Sequence, residues 1–139
     1  MSTKTIAQKF RLKPSDKGIV LNKSSEKIPE MGLPESFYVD KLVGKFNHIH
    51  LFVTRKTMLE QEFGNMKTYL DQHGTLWISW PKAKQLGTDL DLKEVIRIGY
   101  DHFMVESTCM RIDEVWSALK FTFPKPNKEY QNSYGKHPL

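Results

Sequence analysis

Cysteine is almost absent from this chain of 139 residues, Cys109 being the single instance. That excludes an internal disulfide framework and any zinc centre built on cysteines. No apolar run approaches the roughly 20 residues that a membrane-crossing helix needs. The opening residues, Met1-Ser2-Thr3-Lys4-Thr5, lack the apolar stretch of a secretion signal. A cytoplasmic protein without a membrane partner is the simplest expectation. Internal repeats are missing as well. Ser79 and Ser117 sit in no Gly-x-Ser-x-Gly elbow, so hydrolase chemistry has no support.

The residues that are present describe a folded domain. Apolar residues make up 39% and charged residues 27%, the balance of a chain that buries a core. The length suits one domain, expected over residues 1–123 with a basic N-terminal segment, followed by a polar, flexible tail over 124–139. The 21 basic and 16 acidic residues leave a net charge of +5, which raises a nucleic-acid hypothesis. The distribution narrows it. Residues 1–27 hold seven basic side chains against Asp16 and Glu26, whereas residues 28–123 hold eleven basic against thirteen acidic. A slightly acidic body lacks the broad basic face of a duplex binder. A nucleic-acid partner is therefore expected only if the N-terminal segment acts as an arm.

Periodicity supplies the elements. Residues 7–12 suit a short helix ended by Lys13-Pro14, and Gly18 to Leu21 reads as a buried strand. Phe37 to Asp40 is a second strand candidate and Ile49 to Thr54 a third, apolar on both faces. Thr57 and Glu60 have capping-box spacing. Behind them Leu59, Phe63, Met66 and Leu70 form one helical face, with Gly74 placed to end the helix. Thr75 to Trp80 is a strand stopped by Pro81. Asp91 and Glu94 repeat the capping logic ahead of a stripe of Leu92, Val95, Ile96, Gly99 and Phe103. Residues 104–112 and 115–123 are strand-like runs joined at Asp113-Glu114, a hairpin.

Strands alternating with helices predict a three-layer α/β, Rossmann-like domain. Its mixed sheet is mostly parallel, with right-handed crossovers, and ends in an antiparallel hairpin. The span from Lys41 to His48 is short for a parallel crossover, which commonly takes a dozen residues.

The segments Leu76-Trp77-Ile78-Ser79-Trp80-Pro81-Lys82, Thr88-Asp89-Leu90, Val105 to Cys109 and Asp113 to Lys120 resemble a bacterial family of small Rossmann-like proteins. That family is known only as a domain of unknown function. The likeness runs from about Phe10 to Phe123, and it implies the fold but no activity. The order of elements also resembles a cut-down class I methyltransferase. In that scaffold a glycine-rich loop follows the first strand and an acidic residue ends the second, where it binds the ribose of S-adenosylmethionine. Asp40 stands in the place of that acid. The residues after the first strand, Asn22-Lys23-Ser24-Ser25, contain no glycine.

Ligands of open α/β sheets gather beyond the carboxyl ends of the parallel strands. That edge collects Asn22, Lys23, Asp40, Arg55, Trp80, Lys82, Thr88, Asp89, Asp113, Glu114 and Trp116. Trp80 and Trp116 suit a flat apolar wall, and Arg55 with Lys82 suits an anion. A scaffold role stands beside this reading, with Trp80 capping the core, Lys82 paired to Asp113 and Asp89 organising a helix start. His48 and His50 share one strand face as metal-binding pairs do, but no third ligand has matching spacing. Packed or surface histidines are the expectation, as is a buried Cys109 thiol. No catalytic residue and no metal site are expected, and no cofactor is specified. The leading expectation is a non-catalytic binding or regulatory domain for a small anionic or nucleotide-like ligand. The alternatives are a methyltransferase-like transferase using Asp40 and a nucleic-acid accessory protein binding through its N-terminal segment.

Overall fold

Five strands form the central sheet of the computed structural model, which describes residues 5–38, 41–126, 128–132 and 135–136. Gly18–Asn22 (β1), Phe46–Phe52 (β2) and Leu70–Pro81 (β3) lie side by side and parallel. Val105–Arg111 (β4) and Trp116–Thr122 (β5) form the closing hairpin, with β5 inserted between β3 and β4. The order β1-β2-β3-β5-β4 leaves β5 as the strand that runs against the others. This is the mixed α/β, Rossmann-like sheet that the alternation of elements predicts. In the tail, Gln131–Asn132 (β6) and Gly135–Lys136 (β7) make a two-residue antiparallel pair.

Alternation along each strand sorts the core into two layers. One face carries Ile19, Leu21, Ile49, Leu51, Leu76, Ile78, Trp80, Leu119 and Phe121. Helices Lys56–Thr68 (α2) and Leu92–Asp101 (α3) cover it with Leu59, Phe63, Met66, Val95 and Ile98. The opposite face carries Val20, Phe52, Trp77, Trp116 and Ala118. No long helix among the described residues covers that side. Met31, Leu33 and Phe37 pack on it, joined by Ile6, Ala7, Phe10 and Leu12 from around the short helix Ile6–Lys9 (α1). The lysine-rich N-terminal segment is thus the third layer of the domain.

Several local expectations give way to tertiary contacts. Of the predicted strand Phe37 to Asp40, the described residues Phe37 and Tyr38 form none. Glu35–Tyr38 is a 3-10 turn that buries Phe37, while Val39 and Asp40 lie outside the described residues. β1 pairs directly with β2, so the short Lys41 to His48 span never has to make a crossover. The β1–β2 connection packs on the face opposite α2, although both connections advance the chain by one strand in the same direction. The two are therefore of opposite hand, and the right-handed rule holds for only one of them. That rule follows from a helix packing back on a twisted sheet, and the described residues between 23 and 45 hold only a single turn of 3-10 helix.

The Thr57 capping box does not form either. α2 starts at Lys56, and its N-cap residue Arg55 makes no side-chain cap bond. The cap comes from another loop, where Asp89 Oδ1 accepts the Lys56 backbone N–H at 2.9 Å. An acidic side chain at a helix start satisfies a free donor and opposes the helix dipole. Asp89→Ala is expected to cost about 1 kcal/mol, the usual value of a lost cap. A urea titration checks this, and an unchanged midpoint would show that the contact carries no stability.

Gly74 is not a helix end. α2 stops at Thr68, Leu70 already belongs to β3, and a Cβ at Gly74 would lie 3.0 Å from the carbonyl oxygens of Phe46 and Asn47. Close approach of β2, not a left-handed turn, requires glycine there. Phe103 falls beyond α3 and is 49% exposed, so it leaves the predicted stripe. Asp91 does cap α3, accepting the Glu94 N–H, and that bond holds its carboxyl below the ordinary range.

Candidate functional site

The carboxyl ends of β1, β2, β3 and β4 share one edge, and the 112–115 turn that leads into β5 lies on it too. Between β1 and β2 the chain leaves this edge toward opposite faces of the sheet. Such a divergence opens a crevice in α/β folds. The loop after β1 closes over itself here. Asn22 Oδ1 accepts from the Ser24 N–H at 2.9 Å and the Ser24 hydroxyl at 2.6 Å, and Asn22 Nδ2 donates to Glu26 O at 2.7 Å. Side chains, not glycines, shape this turn, unlike a phosphate-cradling loop.

At the end of β3 the chain enters a strained loop, Lys82–Gly87. Ala83, Lys84 and Leu86 take positive φ values of 54°, 59° and 53°. Non-glycine residues adopt this region at a cost of about 1 kcal/mol or more each. The surrounding structure holds them there. Lys82 N–H donates to Val115 O at 2.8 Å, Gln85 Nε2 to Glu114 O at 3.1 Å, and Arg55 Nη1 to Gly87 O at 2.9 Å. The loop therefore bridges the start of α2 and the β4–β5 turn. The signal for it is invisible in the sequence, because glycine marks only its last residue.

The candidate residues distribute as follows around this loop. Arg55 is exposed beside Gly87, and half-buried Lys82 starts the loop. Thr88 is buried, its hydroxyl donating to Thr54 O at 2.6 Å and accepting the Leu90 N–H at 3.1 Å. Asp89 caps α2 as described. Asp113 Oδ1 accepts the backbone N–H groups of Val115 and Trp116 at 2.8 and 2.7 Å, which shapes the hairpin turn. Trp80 and Trp116 do not come together as one wall. Pro81 pairs with Trp116 and Trp80 with Ser117, so the indoles point to opposite faces, each buried in a different core layer. Asp40 lies outside the described residues. The edge presents both signs to solvent: Arg55 and Lys84 are exposed with Lys82 half-buried, Lys84 lies 3.3 Å from Asp91, and Asp89 and Glu114 are exposed as well.

His48 and His50 lie on the opposite layer, 1% and 0% exposed. They are packed histidines, and His50 Nε2 lies 2.6 Å from Ser79 Oγ. Burial holds His48 down to about 4, and burial with the neighbouring His48 holds His50 well below the ordinary histidine value. No group of three His, Cys, Asp or Glu side chains gathers among the described residues. Cys109 is exposed on β4, against the expectation of a buried thiol, because this strand lies at the sheet edge with a solvated centre. Partial burial of its sulfur still pushes the thiol pKa up, so it is not activated as a nucleophile. No helix among the described residues is long and apolar enough to cross a membrane.

The sheet order and its two covering layers define a Rossmann-like α/β protein. No family model matches the chain, and no curated protein matches it. Neither comparison supports the likeness to the small family of unknown function. Among solved structures, that of LepI in complex with SAM shares the fold, with a TM-score of 0.53 at 11% sequence identity. The match covers 84% of this chain and 38% of that one, so this chain spans well under half of its neighbour's length.

Proposed function

We propose that this protein is a non-catalytic binding domain for a small anionic or nucleotide-like ligand at the carboxyl edge of its sheet. The observation that carries the reading is the strained Lys82–Gly87 loop, three of whose non-glycine residues are held in the left-handed region. Such strain persists where the surroundings over-determine it, and it gathers at ligand clamps. Among the mixed charges at this edge, the cations around the loop are the groups suited to an anion. Arg55 offers a planar fork and Lys82 and Lys84 point charges, the usual means of holding phosphate or carboxylate. Asp113 and Thr88 support the loop and its neighbouring turn and make no claim on the ligand.

The structural neighbour solved with SAM makes S-adenosylmethionine the first compound to test beside mononucleotides. A ligand that binds only the native state adds about 2.7 kcal/mol of stability at a hundredfold excess over its dissociation constant. A thermal-shift panel is expected to show stabilisation by at least one member, and Lys82→Ala is expected to remove it. A panel in which nothing raises the melting temperature would reject the reading. Methyl transfer from bound S-adenosylmethionine, lost on Asp40→Asn, would make the protein a transferase instead.

A further inference from the structure

The sheet face beneath the N-terminal segment holds a second, chemically distinct feature. Even-numbered positions of β2 place His48, His50 and Phe52 side by side on that face, and register sets His50 beside Trp77 of β3. The ring of Phe10, half-buried, lies over three of these side chains. Its centroid is 4.7 Å from His48, 5.4 Å from His50 and 4.8 Å from Trp77. These three residues are 1%, 0% and 4% exposed. Yet both ring nitrogens of His48, Nδ1 of His50 and Nε1 of Trp77 have no hydrogen-bond partner among the described residues. Nine in ten buried polar groups are partnered, and four unpartnered atoms around one phenyl ring are a mismatch of chemistry. Phe10 occupies the slot between these side chains and the N-terminal segment, and a phenyl ring has no atom that could bond them.

A neutral imidazole presents one donor and one acceptor, and an indole N–H only donates. The slot therefore asks for a flat ring carrying both acceptors and donors on its perimeter. We propose that the slot under Phe10 is a binding site for a planar nitrogen heterocycle of the nucleobase class, which enters by exchange with the Phe10 ring. The adjoining backbone is built to yield. Arg11, next to Phe10, is held at a φ of 56°, a conformation that withdrawal of the segment would relax. α1 is four residues long, and the Ala7 N–H to Met31 O bond of 3.1 Å ties it to the domain. This site is separate from the carboxyl edge and does not rest on the reading of that edge.

Adenine, as the free base, is the probe. Calorimetric titration is expected to show at least tenfold tighter binding to Phe10→Ala than to the unaltered protein, because the competing ring is gone. Adding His48→Phe is expected to reverse that gain, and Lys82→Ala is expected to leave it intact. Benzyl alcohol, a carbocycle of similar width, is expected to gain less than adenine. The proposal is overturned if Phe10→Ala gains no adenine affinity, if benzyl alcohol gains as much, or if Lys82→Ala abolishes the binding. Should Phe10→Ala fail to fold, hydrogen exchange on the unaltered protein decides. Saturating adenine is expected to speed exchange of amides 6–12 and slow that of Trp77, and unchanged rates at both would overturn the proposal.

Discussion

Between pH 6.5 and about 4 the folding stability of this protein is expected to fall by about 3 kcal/mol on account of His48 alone. The native ring is held down to about 4, chiefly by burial, with Asp16 pulling weakly the other way. In the unfolded chain the same group titrates at its ordinary 6.5. Throughout that interval the unfolded state binds the extra proton, so acidification favours unfolding. The loss runs at about 1.4 kcal/mol per pH unit and ends once the native ring also protonates. Above pH 6.5 the ring is neutral in both states and contributes no slope. His50 acts in the same direction, because burial and the neighbouring imidazole, 6.2 Å away, both oppose its charge. Urea unfolding of the protein and of His48→Leu between pH 7 and pH 5 measures the effect. The variant is expected to lose most of one proton's slope in that range, before carboxylates begin to titrate. Equal slopes would show that His48 is not buried neutral.

Gly99→Ala is expected to destabilise the protein by about 2 kcal/mol, although alanine is the better helix former by about 1 kcal/mol. A Cβ at this position would run into Cε1 and Cζ of the Phe121 ring. Phe121 has nowhere to go. It is 0% exposed, paired in the sheet with Leu76 and Glu106, and packed edge-on against Phe63 at 5.2 Å. Forcing a methyl into such a site typically costs about 1–3 kcal/mol, and more where neighbours are fixed. The compensating double variant Gly99→Ala/Phe121→Leu is expected to recover part of the loss. A Gly99→Ala protein as stable as the parent would mean that α3 lifts off the sheet without penalty.

Both effects show how differently the two layers of the core were written into the chain. The stripes Leu59/Phe63/Met66 and Val95/Ile96/Gly99 sit at helical spacing, and the structure uses them against one face. The other layer is assembled from breaker-rich segments, with Met31, Leu33 and Phe37 placed by long-range contacts. Periodicity gives no notice of such packing, because residues without a regular period can still be buried. The basic N-terminal segment illustrates the same gap. Its charge marks it as a candidate arm, whereas Ile6, Phe10 and Leu12, which lie between its lysines, pack on the sheet.

The candidate edge was legible in outline and not in detail. Alternating elements sufficed to bring Arg55, Lys82, Thr88, Asp89 and Asp113 to the carboxyl ends of the strands. Their individual roles depend on partners distant in sequence. Asp89 caps a helix that begins 33 residues earlier, and no local motif records such a bond. The left-handed residues of the Lys82–Gly87 loop are an alanine, a lysine and a leucine, types that carry no turn signal.

The amino-acid sequence by itself determined the class of fold, the helical faces and the closing hairpin, since each follows from patterns within about a dozen residues. It also determined that the excess positive charge lies at the ends of the chain and not in its body. Tertiary structure alone decided that β1 pairs with β2, that Trp80 and Trp116 face opposite layers, and that two histidines lie neutral beneath Phe10. The physical reason is the two-residue period of a strand. Which side a residue faces follows from strand pairing and register, and those are settled by contacts between segments that the sequence keeps far apart.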